Sequence, residues 1–246
     1  MQTQDAPAEI IFRLWPWLEA NKNRLIGVGV GIILASGVWY FISSQRAEKE
    51  VDAGIALSSV IVTPQAGATG AQLAAQLEQV GAKYAGTAAA ERAQLQAAAA
   101  LFSGGSYPEA QAQFQKFLNE NSASSLAVFA QLGLAASLEA QNKPDQLAAA
   151  AAAYQRVVSA YSTMPACVQM ADLALGRIAE QQNKFADAAK HYDAAARAVP
   201  GGSLYQEAMI RASELQPKLA AAPKAAAKPA VSPVAAPAAP AKAPTK

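Results

Sequence analysis

Apolar positions along this chain follow three rhythms in turn. Residues 25–42, LIGVGVGIILASGVWYFI, form an unbroken run without a charge. Beyond residue 70 the apolar positions keep the period of an amphipathic helix, as in Leu73, Leu77, Val80 and Tyr84. After Pro217 there is no period, only alanine, proline and lysine with an occasional other residue. The pattern divides the chain into a short segment 1–24, an apolar helix 25–43, a helical domain 44–216 and a tail 217–246.

As a helix the uncharged run would be roughly 27 Å long, close to the hydrocarbon thickness of a bilayer, and it predicts a single transmembrane crossing. Trp39 and Tyr40 close the run, and Trp15 and Trp17 precede it, as expected of amphipathic rings at a headgroup layer. A cleaved signal peptide has an apolar core of roughly 7–15 residues followed by a small-residue cleavage site. Here the run is longer and SSQRAEKE follows without an A-x-A pattern, which favours a retained anchor. Arg13, Lys22 and Arg24 precede the run, and Arg46 and Lys49 follow it, a balance that favours a cytoplasmic N-terminus. In a bacterium the remaining domain would then lie in the periplasm. Gly27, Gly31 and Ala35 recur every fourth residue and form a ridge along which a second membrane helix could approach, as in a homodimer.

The helical domain repeats itself. AQLQAAAAL at 93, AQLGLAASL at 130, ADLALGRIA at 171 and AMIRASEL at 208 all begin on alanine with Leu or Ile third, at steps of 37, 41 and 37 residues. The polar breaks SGGSYPEA, AQNKPDQL and QQNKFADA follow the first three, and each leads into a second helical run. A unit of this length cannot bury its own apolar face, so its recurrence predicts helix pairs stacked into an α-solenoid. SSQRAEKEVDAGIALSSVIV and TGAQLAAQLEQVGAKY read as a further pair ahead of these, separated by a loop at 63–70, and a last helix over 204–215 would cap the stack.

Residues 171–200 resemble a tetratricopeptide (TPR) repeat, with Leu175, Gly176, Ala188, Tyr192, Ala195 and Pro200 at the spacing of that family's packing residues. Ala98, Ala110, Phe114 and Phe117 match in one earlier unit, and Ala135, Ala150, Tyr154 and Val157 in the unit between. The resemblance implies that small residues sit where helices cross and that aromatic residues fill the gaps between units. The fold class expected is therefore all-α: a single N-terminal transmembrane helix, a TPR-like solenoid of helix pairs and a disordered C-terminal tail.

Composition agrees with close helix packing, since the chain is 52% hydrophobic but 7% aromatic and alanine supplies much of the difference. Charge excludes a nucleic-acid-binding domain: residues 44–216 carry 12 basic and 15 acidic side chains, a balance of −3, and the basicity lies in the five lysines of the tail. The tail lacks the bulky apolar groups needed to fold and reads first as a solubilising spacer. Glu48 and Asp52 lie within a turn of Arg46 and Lys49, at ion-pairing distance along the helix. Cys167 is alone and reads as a small buried hydrophobe, and His191, one step off the packing face, as a surface histidine. No catalytic motif or metal-ligand spacing is present, so neither an enzyme nor a cofactor is expected.

What remains is a binding surface. The first helix of each pair lines the inner face of such a solenoid, and its residues not spent on packing are Arg92, Phe129, Glu139, Arg177 and Glu180, a groove for an extended peptide or another protein's helix. The whole arrangement, with FRLWPWLEANKNR, one span, SSQRAEKEVDAG and helix pairs, resembles the ancillary SecYEG translocon subunit family. That resemblance implies a single-pass inner-membrane protein whose periplasmic domain links the translocon to chaperones. The alternative expectation is a cell-envelope structural, assembly or division factor whose basic tail contacts the wall.

Overall fold

The computed structural model describes residues 16–17, 19–62 and 68–221; the expectations for residues 1–15, most of the 63–70 loop and the tail from 222 onward lie outside the described residues. The helices run in order α1 (Lys22–Val62), α2 (Gly70–Lys83), α3 (Ala88–Ser103), α4 (Tyr107–Glu120), α5 (Ala127–Ala140), α6 (Pro144–Ala160), α7 (Pro165–Gln181), α8 (Phe185–Ala198) and α9 (Gly202–Ala221), with no strand among the described residues.

Local chemistry sets where these helices begin and end. Thr69 caps α2 in a reciprocal box: its hydroxyl accepts from the Gln72 backbone N–H at 3.3 Å, and its own N–H donates to Gln72 Oε1 at 2.9 Å. Thr87 Oγ1 accepts from the Ala90 N–H at 3.0 Å at the start of α3. Proline stands in the first turn of α4, α6 and α7, where a missing N–H costs no hydrogen bond. In the turns that follow α3, α5 and α7 one residue is left-handed, namely Gly105 (φ 78°), Asn142 (φ 50°) and Asn183 (φ 59°). These three fall at the steps of 37 and 41 residues that separate the repeats, so the polar breaks are one recurring turn built on residues that tolerate positive φ.

Packing then makes one curved stack. Consecutive helices pair throughout. In addition α3 touches α5, α5 touches α7 and α7 touches α9, whereas α2, α4, α6 and α8 do not touch one another. The first helices of the units therefore crowd together on the inner side of the curve. Alanine makes this approach feasible, as Ala93, Ala97, Ala98, Ala130, Ala135 and Ala171 are wholly buried. The buried apolar side chains form two clusters, a large one from α1 to α7 and a smaller one of α7, α8 and α9 that includes Tyr192 and Leu215.

Helix α1 is continuous through the apolar run and the stalk, at about 60 Å for its length. It is long and apolar enough to cross a membrane, and none of its apolar window is buried in the protein. Its far end acts as the first helix of a unit with α2, burying Ala53 and Leu57. Two neighbouring side chains fasten it there. Glu50 receives the Ala88 and Ala89 N–H groups on its two oxygens at 2.7 and 2.9 Å, and Lys49 Nζ donates to the Ala85 carbonyl at 2.8 Å. Glu50 thus satisfies exposed donors at the N-terminus of α3, where the helix dipole also favours an anion. The expected ion pairs of Glu48 and Asp52 with Arg46 and Lys49 do not form among the described residues, because Lys49 reaches across to the α2–α3 turn instead.

At the other end α9 is longer than the sequence pattern suggested. It continues through Pro217 to Ala221. Lys218 binds Glu180 at 2.8 Å and Leu219 packs on the smaller core cluster, so the last turn has partners that hold it helical despite the proline.

Candidate protein-binding groove

Of the nine residues expected at packing positions, eight are buried and one is exposed. Ala98, Ala110, Phe114, Ala135, Tyr154, Gly176, Ala188 and Tyr192 are all buried. Pro200 is exposed beyond the end of α8 at Ala198, where it stops the helix and packs against nothing in the core. The aromatic rings seat on glycine in two ways. A Cβ on Gly176 would lie 2.5 Å from the Tyr192 ring, a contact inside one unit, whereas a Cβ on Gly133 would lie 2.3 Å from the Phe114 ring of the preceding unit. Gly133 escaped the sequence reading because the small residue was sought two positions later, at Ala135.

On the inner face the five proposed groove residues occupy three repeat positions. Arg92 and Phe129 share one position of their units, 37 residues apart, and Met170, a further 41 residues on, completes the row. Arg92 is exposed, and Phe129 and Met170 are 46% and 48% exposed, large apolar side chains that the fold leaves uncovered on touching helices. The repeat register was the signal that could have found Met170.

Glu139 and Glu180 share a second position, near the other end of the same helices. Each is held from behind by a tyrosine of its own unit: Tyr154 donates its hydroxyl to Glu139 Oε2 at 2.7 Å, and Tyr192 donates to Glu180 Oε2 at 3.2 Å. The unit of α3 and α4 has Phe102 and Phe114 at these two positions, so hydroxyl and carboxylate are absent together. Burial, followed by the adjacent carboxylate, raises both phenols, Tyr192 to about 12 and Tyr154 further, so both remain hydrogen-bond donors at any physiological pH. Arg177 Nη2 stands 3.5 Å from Glu139 Oε1 and links α7 to α5.

Glu180 also accepts from Lys218 Nζ at 2.8 Å, and this hydrogen bond is the largest cause of its lowered pKa. A depressed carboxylate stabilises the fold above its unfolded pKa of about 4.3, and the contribution is lost as pH falls through the folded value. Lys218→Gln is therefore expected to lower the thermal midpoint at neutral pH, with the gap to the unaltered protein closing as the pH is taken through the acidic range below about 4. Thermal melts of both across that range check this, and a gap unchanged at low pH would assign the effect of Lys218 to its place 5.3 Å from the centre of the Phe185 ring.

Two hollows lie along this face. One, of about 460 Å³, is apolar and is lined by Val60 and Ile61 of α1, Leu73 and Leu77 of α2, and Ala99 and Ala100 of α3. The other, of about 600 Å³, is lined by Arg177, Glu180, Phe185, Arg211 and Lys218. Ala99, Ala136 and Arg177 share one repeat position, so that single row runs from an apolar hollow at one end to a cationic one at the other.

Across this helical stack a family model described as a tetratricopeptide repeat-like domain matches residues 15–212. The chain belongs to the tetratricopeptide repeat-like domain family. No curated protein matches its sequence. TPR-like domains generally mediate protein–protein interaction and are typically non-catalytic scaffolds, which directs attention to the inner face as a binding surface.

The remaining polar groups are structural in their contacts. His191, expected as a solvated or partly covered surface histidine, is partly covered, and its Nδ1 lies 2.9 Å from Asp172 Oδ1, so with hydrogen on Nδ1 it donates to a carboxylate that is almost wholly buried. The positions in register with Asp172 are Gln94 and Gln131, neutral amides that also bond to the neighbouring helix or turn. Cys167 is buried, and desolvation raises its thiol above the ordinary value. Among the described residues no cluster of three His, Cys, Asp or Glu side chains is placed to hold a metal.

Proposed function

We propose that this TPR-like chain is a membrane-anchored adaptor that holds an extended segment or helix of a partner protein along its inner face. The observation that carries this reading is the row Arg92, Phe129 and Met170: side chains at one repeat position, exposed, on first helices that touch in sequence. Large apolar groups left uncovered in register along a concave face are what a bound chain would cover. The uncharged, unburied stretch of α1 supports the anchor. Placement on the periplasmic side of a bacterial inner membrane, beside the export translocon and its chaperones, rests on the charge balance around that stretch and on the resemblance in FRLWPWLEANKNR and SSQRAEKEVDAG.

The ridge Gly27, Gly31 and Ala35 remains a candidate for a homodimer contact, since a Cβ at either glycine would meet nothing and Ala35 is exposed. Ala53 lies 18 residues beyond Ala35, which is about five helical turns, so the ridge runs along the side of α1 that carries the solenoid. Two such helices would have to diverge above the ridge. A second reading, an envelope structural or assembly factor, is favoured by the five lysines without an acid in residues 217–246.

Photo-crosslinking in intact membranes tests the adaptor. A photoreactive residue at Phe129 or Met170 is expected to capture a partner, and one at exposed Arg156, on a second helix, is not. Capture of translocon subunits or chaperones supports the export setting, and capture of wall or division proteins moves the chain to the envelope reading. Capture from Arg156 alone would overturn the groove.

A further inference from the structure

We propose that the outer cleft between α6 and α8 binds a small organic ammonium ion, with its charge on Asp172 and its apolar body on the floor of the cleft. The second helices do not touch one another, so α6 and α8 leave one side of α7 uncovered between them. The gap is a hollow of about 450 Å³, and its apolar surface includes Val158 of α6 with Leu175 and Ile178 of α7. That size and lining are those of small-molecule sites. At about 100° per residue, Asp172 and Leu175 stand on the opposite side of α7 from Met170 and Arg177. The cleft is therefore separate from the inner groove, and the inference stands independently of the adaptor reading.

Asp172 gives the cleft its chemistry. It is 4% exposed and occupies a position that the earlier units fill with the neutral amides Gln94 and Gln131. A carboxylate in such a place is costly unless its oxygens find donors. His191 lies against Oδ1 at 2.9 Å, whereas Oδ2 accepts no hydrogen bond from the described residues. Every fully buried polar side-chain atom among those residues has a partner, so Oδ2 keeps an open surface, and Asp172 lines the hollow. One acceptor of a carboxylate is thus left beside an apolar floor. An ammonium group brings the opposite charge and up to three N–H donors to it.

The other charged groups of the cleft are at its rim. Lys190 lies 3.0 Å from Asp187, which balances its charge, and Lys184 is exposed, where water and salt screen it. An anion seated on the floor would meet Asp172. A metal ion would lack ligands, since among the described residues no three His, Cys, Asp or Glu side chains are grouped to hold one.

The test uses the full, untagged chain in neutral detergent micelles and follows the imidazole resonances of His191, the only histidine of the sequence. Benzylammonium is expected to shift them saturably, benzyl alcohol to bind about tenfold more weakly, and benzoate not to bind. Asp172→Asn keeps an acceptor for His191 and is expected to weaken benzylammonium about tenfold. Ala151→Leu, at a partly exposed place on α6 that lines the cleft, leaves both members of the pair in place and is expected to weaken it as well. The second variant keeps the site open to refutation if the first folds poorly. Equal binding of benzyl alcohol would reduce the cleft to an apolar hollow and overturn the role of Asp172. Preference for benzoate would overturn the sign of the ligand's charge. Benzylammonium binding that survives either substitution undiminished would place it elsewhere, and no saturable shift with benzylammonium would overturn the site.

Discussion

Replacing Tyr192 with alanine is expected to cost about 3–5 kcal/mol and to lower the thermal midpoint by roughly 10 °C. The ring is wholly buried and lies on Gly176, where no side chain could take its place without a shift of α7 against α8. Truncation leaves a cavity in the smaller core cluster, which has few other large side chains, and removes the hydroxyl that holds Glu180. Tyr192→Phe separates the two effects. It keeps the packing and loses one hydrogen bond at 3.2 Å, while Glu180 retains Lys218, so about 1 kcal/mol is expected. Hydrogen exchange gives the sharper readout, because stability in a stacked array is shared mainly between neighbours. Protection should fall in α8 and α9 well before α2 to α4. Equal loss along the whole stack would show that the two clusters unfold as one, and a negligible change in midpoint would mean that α7 and α8 close over the cavity.

Replacing Val30 and Ile33 together by arginine is expected to move the chain from the membrane fraction to the soluble one. Both side chains are exposed on α1, 50% and 72%, and touch nothing that the solenoid needs. An arginine near the middle of a membrane helix costs about 2.5–3.5 kcal/mol on insertion scales, so two oppose insertion by about 5–7 kcal/mol. The control is Val51→Arg with Ile55→Arg. These positions are just as exposed but lie beyond the uncharged run, so membrane association should persist. N-terminal sequencing of the membrane-bound protein belongs to the same experiment, since a mature chain beginning after the run would replace the anchor by a cleaved signal.

Much of the architecture could be read in advance because it repeats. Alanine followed by Leu or Ile two places on, then a polar break, recurs often enough to fix the helix pairs, and the left-handed Asn142 and Asn183 lie in two of the breaks so identified. What escaped notice depends on contacts between distant segments, which no local period encodes. Glu50 caps a helix 38 residues away, and nothing in SSQRAEKEVDAG distinguishes it from Glu48. Lys218 looked like the first charge of a lysine-rich tail, and its pairing with Glu180 appears only when α9 is laid on α7. The five proposed groove residues lie on α3, α5 and α7, first helices that touch in sequence, because the repeat register marks which helix of each pair is which.

The fastening of α1 by Lys49 and Glu50 bears on how far the groove can reach. A domain on a flexible tether samples a sphere and meets targets at any angle, and its local concentration is set by tether length. This one is bolted about 15 Å beyond Trp39 and Tyr40, at ten residues of unbroken helix. With the apolar run embedded in a bilayer, height is fixed and only the azimuth is free, since the whole stack must turn with its rod. The chain is then a swinging arm that sweeps one circle above the surface, and any tilt imposed on the rod by a neighbour in the membrane would be read out as a displacement of the groove at its tip.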